Sequence, residues 1–426
     1  MKTIKVSIAG LGVVGSGLLS LLDQNQRFTR QGITFEVVGV SARTRHRERP
    51  VDISTYSWFD DPVEMANDPA ADIFVELIGG ADGPAKSAVI AALEAGKHVV
   101  TANKALIAEH GAQLAALAEQ KGVSLKFEAA VAGGTPVVSG LRDGVAACHV
   151  TAVSGILNGT CNYILSTMAE KGADFDDVLL EAQKAGFAEA DPSFDIDGVD
   201  AAHKLVILAS LAFDAAVSMQ NTSIGGIRHI TLEDVRAARR LGMSIKLLGE
   251  AKMQEERVGL RVTPALIPQA DPFAKASGSQ NVVTVDANPL GRLAFQGPGA
   301  GAGATAAAVA ADLGLIARNI KGPTYGVAAE DLRDLPILPV EDFENSYFIR
   351  LNLQDEPGAL AAVAEALAAA RVSIESLYQP PGDEGQASVE IVTHICKAAA
   401  AQNAAGALEK QPFVLGRPTV LPIILP

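Results

Sequence analysis

Asp200 and Lys204 stand four residues apart, where the polar loop 186–198 gives way to the apolar run Leu205-Val206-Ile207-Leu208-Ala209. On a helix this spacing places both side chains on one face, within reach of each other. The apolar run draws the ammonium toward the core, where desolvation lowers a lysine's pKa, while the neighbouring carboxylate holds it charged. A lysine balanced between the two can give and take a proton near neutrality, as a general acid and base must. The plainer alternative is an ion pair on a half-exposed helix. The preceding loop carries Glu189, Asp191, Asp195 and Asp197, interrupted by Pro192 and Gly198. The aspartates there read as loop acids and turn formers, and His203, one residue off the Lys204 face, reads as structural.

The elements that must position this pair begin at the N-terminus. Residues 5–9 form a short apolar strand, followed by Gly10, Leu11, Gly12, Val13, Val14 and Gly15, and then by a helix marked by Leu18, Leu19, Leu21 and Leu22. Strand, GxGxxG and helix make a dinucleotide-binding unit: the glycines permit a tight turn and bring backbone amides against a pyrophosphate at the helix N-terminus. A second strand, 35–40, leads into Ser41-Ala42-Arg43-Thr44-Arg45 with no acid to hold a ribose 2′-hydroxyl. Arginine there suits a 2′-phosphate, which favours NADP(H), with NAD(H) as the alternative and a solvated basic loop as the structural reading. Strands over 72–78, 97–101 and 123–128 alternate with helices over 87–95 and 105–120, so Thr101, Asn103 and Lys104 fall at the carboxyl end of a parallel strand, where such sheets bind ligands.

Beyond Pro136 the alternation loosens. A strand over 150–156 ends in Asn158, Gly159 and Thr160, helices follow over 161–171 and 175–186, and short strands with turns at Pro264, Pro268, Pro289 and Gly291 fill 260–295. A second glycine-rich turn, with Gly299 and Gly301, precedes an Ala-rich helix; it serves either to close over the cofactor or to allow close packing. Residues 328–344 are acidic and contain prolines, as a linker would. The remainder reads βαββαβ, a ferredoxin-like module. The expected fold is therefore α/β: a Rossmann-type nucleotide-binding domain, a mixed α/β catalytic domain and the terminal module.

A net charge of −14 with no long basic run argues against a nucleic-acid partner. No apolar run reaches membrane-spanning length, and the chain enters a strand directly without a signal peptide, so neither membrane nor export is expected. Three widely spaced cysteines, Cys148, Cys161 and Cys396, suit a reducing cytoplasm. Cys161, at the start of a helix, raises a rival: an enzyme that makes acyl phosphates through a thiol nucleophile.

Five motifs in order resemble the homoserine dehydrogenase family over essentially the whole chain: GLGVVG at 10–15, TANK at 101–104, EAAVAGGTPV at 128–137 with Val138 continuing it, SGILNGTCNYIL at 154–165, and GFAEADPSFDIDGVDAAHKL at 186–205. The terminal module, with DEPGAL at 355–360, is similar to an ACT regulatory domain. The resemblance implies reversible hydride transfer between L-aspartate 4-semialdehyde and L-homoserine, on the route to threonine, methionine and isoleucine. It implies Lys204 as proton donor and acceptor, Asp200 as the residue orienting it, Lys104 at substrate and nicotinamide, and Glu189 at the substrate ammonium, with Asn158, Gly159 and Thr160 beside the substrate. It also implies a monovalent cation, sodium or potassium, held by Glu128 and the carbonyls of Val131, Gly133 and Thr135. An amino-acid effector, threonine by preference, and a homodimer or homotetramer complete what it implies. The expected domains are 1–134 with a return segment near 298–327, a catalytic and dimerisation domain over 135–297, a linker over 328–345 and the ACT domain over 346–426. A sensor that reads nucleotide and amino acid without catalysis is the reading from another class.

Overall fold

The computed structural model describes residues 1–24, 26–381 and 385–425. Strands β1 (Lys2–Ala9), β2 (Ile33–Ser41), β3 (Ser57–Phe59), β4 (Ile73–Glu76), β5 (His98–Thr101) and β6 (Leu125–Lys126) form one parallel sheet in the order β3-β2-β1-β4-β5-β6. This is the doubly wound order, with its switch point between β1 and β4. Val6, Ile8, Ile73, Phe74, Val75, Val99 and Val100 are fully buried, as a parallel sheet covered on both faces by helices requires. The helix Val13–Gln24 follows the first glycine turn. Against it lies the helix Ala302–Ala317, so Leu18, Val309 and Leu313 share one buried cluster with Val6 and Ile8. The helix Ala302–Ala317 thus completes this core. β6 is shorter than the strand expected over 123–128, because Glu128–Ala130 turns into a 3-10 helix.

The catalytic half is built on β7 (His149–Ile156), β8 (Thr222–Ile224), β9 (Met243–Gln254), β10 (Arg257–Pro268), β11 (Gln280–Asn288) and β12 (Gly291–Pro298). β9 and β10 form a long hairpin, in register from Gln254 opposite Arg257 to Met243 opposite Pro268. This corrects the expected short strands, because Pro264 sits within β10 and opposite Leu247 rather than in a turn. On its other edge β10 pairs with β8 at 260–262 and with the terminal module at Leu266. Pro264 falls in the gap between those ladders, where no backbone donor is needed. The helix Val199–Phe213 packs on this sheet, with every residue from Asp200 to Phe213 buried.

The terminal module contains β13 (Glu344–Gln354), the helix Ala359–Ala369, β14 (Ile374–Tyr378), β15 (Gln386–Thr393), the short β16 (Cys396–Lys397), the helix Ala398–Glu409 and β17 (Val414–Ile423), around its own core of Ile349, Val363, Leu367, Val389 and Leu408. It is not a separately tethered unit. β17 pairs in parallel with β10 through Ile423 and Leu266, which merges both sheets into one of eleven strands. The buried Arg350 guanidinium donates to the fully buried Asp234 at 2.7 Å, and Arg240 pairs with Glu390. Nor is 328–345 a free linker: Arg333 exchanges backbone hydrogen bonds with Asp214 and Ala216, and Val258 with Pro336 and Leu338. The segment straps onto the catalytic sheet because Leu338 and Phe343 are apolar and buried there.

Candidate active site

Gly198, at φ +87°, turns the chain into the helix Val199–Phe213, so Asp200 and Lys204 occupy its first two turns. Lys204 Nζ donates to Asp200 Oδ2 at 2.7 Å and to the Leu157 carbonyl at 2.7 Å. Lys104 Nζ approaches the other carboxylate oxygen, Oδ1, at 2.7 Å. Asn158 Nδ2 donates to Asp200 Oδ2 at 2.8 Å and to Asp195 Oδ1 at 2.7 Å. The plain exposed ion pair is thereby excluded, since Asp200 and Lys204 are 3% and 9% exposed. Burial pushes the Asp200 carboxyl up, but Lys204 and Lys104 outweigh it and hold the group well below the usual carboxylate range. For Lys204 burial dominates and depresses the ammonium, even though Asp200 opposes it. Two of the three Lys204 donors are taken by protein oxygens; the third is available to the cavity that Lys204 lines.

That cavity, about 270 Å³, is bounded by Val14, Leu77, Gly79, Lys104, Gly133, Lys204, Gly299 and Ala300. A second, about 470 Å³, runs along Gly10, Leu11, Gly12, Ser41, Arg43, Arg47 and Arg49. They meet at Leu77 and Ile78, which line both. Gly10 has φ +101°, and a Cβ there would lie 2.3 Å from the Leu77 carbonyl oxygen; one on Gly15 would lie 2.0 Å from the Gly10 carbonyl oxygen. Gly12 has nothing within 4 Å of where its Cβ would be, so the turn is tight and its backbone is open to a phosphate. Val13 is 72% exposed at the same place. The residues present therefore fit a dinucleotide, with the switch point between β1 and β4 beneath it. Arg49 spends its guanidinium on the carbonyls of Thr44, Arg45, Arg47 and Leu11, which shapes the basic loop. Arg43 is exposed at the cavity rim and its side chain has no protein hydrogen-bond partner among the described residues. Gly299 packs against Asn281 and Gly133 against Gly299, while Gly301, at φ +126°, turns into the return helix. The second glycine turn thus both packs closely and edges the cavity.

Several expected site residues serve differently from the sequence reading. The Thr101 hydroxyl is fully buried and donates to Glu76 at 2.5 Å while accepting from the Asn103 amide at 2.9 Å, so it positions Asn103 and Lys104. Asn158 caps the helix Gly159–Lys171 through the Cys161 amide and turns its Nδ2 onto Asp200 and Asp195. Thr160 Oγ1 contacts the Phe187 carbonyl at 3.0 Å and Asp195 Oδ2 at 3.2 Å, and Gly159 fits closely against Ser279. The Asn158 and Thr160 side chains hold the loop and the carboxylates, while Gly159 allows the close approach of Ser279. Glu189 is exposed, and its carboxylate has no partner among the described residues. Asp195, read as a turn former, joins the site through Asn158, and Phe194 lays its ring 5.6 Å from Lys104 Nζ. Asn281, whose Nδ2 reaches the same Leu157 carbonyl at 3.3 Å, also escaped the sequence reading. A buried Asn inside an apolar strand was the one available signal.

Cys161 is fully buried, and burial followed by Asp195 and Asp200 pushes its thiol well above its ordinary value. A thiol so held is not the reactive thiolate that acyl-phosphate chemistry demands. His203 lies near Phe194, ring centroids 5.5 Å apart, and burial depresses its pKa.

Around Glu128 the chain buries a cluster of charged groups, Glu128 and Asp312 with Lys126 and Arg142 nearby. The Glu128 carboxylate accepts the amides of Val138 at 3.0 Å and Ser139 at 2.8 Å, and burial raises its pKa. Asp312, which accepts the Glu128 amide at 2.8 Å, is pushed up to about 7 by burial and then by Glu128. Ala132 and Gly133 both take positive φ, which bends the chain over 131–135, and the Thr135 hydroxyl is buried without a partner. Two buried carboxyls and a bend of carbonyls suit a hard cation. Among the described residues no three His, Cys, Asp or Glu side chains gather as a metal group. No helix among those residues is long and apolar enough to cross a membrane.

Comparison with known proteins agrees with this geometry. Residues 10–128 match the family model described as the NAD binding domain of homoserine dehydrogenase, residues 136–313 that of homoserine dehydrogenase itself, and residues 347–413 that of the ACT domain. The chain is 43% identical to the homoserine dehydrogenase of Pseudomonas aeruginosa over 405 residues, 92% of either chain. It superposes on a crystal structure of a homoserine dehydrogenase from Thiobacillus denitrificans with a TM-score of 0.93 at 40% identity, covering 100% of this chain and 99% of that one. A hyperthermophilic archaeal homoserine dehydrogenase solved in complex with NADPH matches 76% of this chain and 100% of its own at 26% identity, with a TM-score of 0.66. A doubly wound sheet, a buried lysine–aspartate pair at its mouth and full-length likeness to these enzymes lead to one conclusion: the chain belongs to the homoserine dehydrogenase family and ends in an ACT domain.

Proposed function

We propose that this enzyme interconverts L-aspartate 4-semialdehyde and L-homoserine with NADP(H) as its preferred cofactor and Lys204 as the proton-transferring residue. The observation that carries the reading is the single unspent Lys204 donor facing a cavity shared with Lys104 and Gly299. Gly10, Gly12 and the cavities they and Gly299 line would hold the dinucleotide, whose chemistry would be to supply or receive the hydride. In the reducing direction the Lys204 ammonium stabilises the oxygen that gains negative charge and protonates it. In the oxidising direction neutral Lys204 takes the hydroxyl proton, and burial is what makes the neutral form accessible. Asp200 orients Lys204 and balances its charge; Lys104 shares that carboxylate and lies at the mouth of the site. Glu189, its carboxylate unspent, is assigned to the substrate ammonium.

Arg43 at the cavity rim is assigned to the 2′-phosphate; the archaeal relative in complex with NADPH supports this choice. Glu128 and the carbonyls of Val131, Gly133 and Thr135 would hold sodium or potassium, which would relieve the repulsion between Glu128 and Asp312. The ACT domain would bind an amino acid, threonine by preference, in the cavity of about 330 Å³ beside Asp355, Gly358, Gln379 and Ala387, and the enzyme would act as a cytoplasmic homodimer or homotetramer. The direct test is homoserine-dependent NADP reduction. Lys204→Ala should lower kcat by about 10²-fold or more while nucleotide binding stays near normal; near wild-type kcat would refute the assignment.

A further inference from the structure

Lys246 lies on β9, 3% exposed, beneath the helix Gly159–Lys171. Its ammonium donates to Asn162 Oδ1 at 2.8 Å, Ser166 Oγ at 3.1 Å and the Ala276 carbonyl at 2.6 Å. All three hydrogens are thus spent on neutral oxygens, and no carboxylate among the described residues comes within ion-pair distance. A buried ammonium without a counter-ion costs folding free energy, so fold stability is a poor reason for it. What it does accomplish is geometric. Asn162 and Ser166 are four apart on one face of the helix, and Asn162, 1% exposed, passes its own Nδ2 to the carbonyls of Gly278 at 2.9 Å and Ala276 at 3.3 Å. The next residue, Ser279, packs against Gly159 so closely that a Cβ there would stand 3.1 Å from it. The first turn of the helix is therefore clamped on both sides, and its cap is Asn158, the residue that donates to Asp200 and Asp195.

We propose that Lys246 is a positioning residue for the hydride-transfer reaction: by holding Asn162 and Ser166 it fixes the first turn of the Gly159–Lys171 helix, and through it the Asn158 amide that orients Asp200 toward Lys204. Burial, which holds this lysine down to about 8, fits a group kept in place at a cost in charge. The inference rests on the Lys204–Asp200 assignment, but the two fail separately. An active Lys204→Ala enzyme would refute that assignment, whereas the experiment below addresses Lys246.

Lys246→Met keeps an unbranched side chain, one atom shorter, and removes its donors. Steady-state rates with homoserine and NADP should show kcat lower by about tenfold to a hundredfold, the scale of a misplacement transmitted to the reacting groups. The Kd for NADPH should stay near wild type. Tm does not separate the two readings, because loss of the buried charge is set against leaving the Asn162, Ser166 and Ala276 oxygens without their donor. In an Asn158→Ala background the same substitution should change kcat by less than about twofold, since residues acting through one another are not additive. A merely structural role predicts an equal factor in both backgrounds. Wild-type kcat in Lys246→Met, or an equal loss with and without Asn158, overturns the proposal. Should Lys246→Met fail to fold, Asn162→Ala carries the same test: a kcat loss that vanishes in the Asn158→Ala background supports the route, and an unchanged kcat overturns it.

Discussion

Replacing Asp200 by Asn tests the proton-transfer pair most sharply, because it shifts a pH profile in a direction that packing loss alone does not produce. Asp200 Oδ2 accepts from Lys204 at 2.7 Å, and both groups are buried. A hydrogen bond to a charged group contributes about 1.5–3 kcal/mol, and each 1.36 kcal/mol is about one pKa unit. Removing the negative charge therefore lowers the Lys204 pKa further and should shift its limb by about one to two pH units. Lys104, whose side chain is 34% exposed, can turn to solvent and soften the loss. With Lys204 as the proposed base, homoserine oxidation requires its neutral form, and the rate should climb with pH through that pKa. In Asp200→Asn the climb should come at lower pH, and the variant should keep a larger fraction of its own maximum in mildly acidic buffer. The maximum itself should fall by about tenfold or more, because Lys204 loses the partner that aims it. The assay is kcat/KM for homoserine, followed by NADPH absorbance at constant ionic strength across the pH range. A limb that stays in place or moves upward would show that Lys204 is not the titrating base.

Arg43→Ala should weaken NADP(H) much more than NAD(H), because the contact assigned to it exists only with the 2′-phosphate; equal loss of both cofactors in paired kcat/KM measurements counts against it. Added sodium or potassium should raise activity beyond an ionic-strength control, and Glu128→Ala should blunt that response; superimposable titrations for variant and wild type would remove the cation site. Threonine should inhibit the full chain with a coupling of about 1–3 kcal/mol, and Asp355→Ala in the ACT cavity should abolish inhibition while leaving kcat intact; inhibition that survives places the effector elsewhere. Deleting the chain after Glu344 should markedly lower Tm, because it strips β17 from β10 and leaves the fully buried Asp234 without Arg350; a truncated enzyme with wild-type Tm would contradict that account.

Local pattern was enough to read most elements from the sequence. GxGxxG between an apolar strand and a leucine-marked helix, the i,i+4 spacing of Asp200 and Lys204, and the βαββαβ rhythm of the last eighty or so residues all depend on neighbours in the chain, whose periodicity sets secondary structure directly. Partner choice is different, because it depends on which polar groups the fold buries together. Asn158 reaches Asp200 across 42 residues, and Glu76 takes the Thr101 hydroxyl across 25. Both are satisfactions of buried polar atoms that no spacing rule encodes. The same holds for Lys246, an ordinary strand lysine in the sequence until the Gly159–Lys171 helix lies over it. The joining of the two sheets rests on a single parallel register, Leu266 beside Ile423. Two strand edges meet there in buried residues, and only the tertiary packing decides that the ACT domain continues the catalytic sheet instead of hanging from a linker.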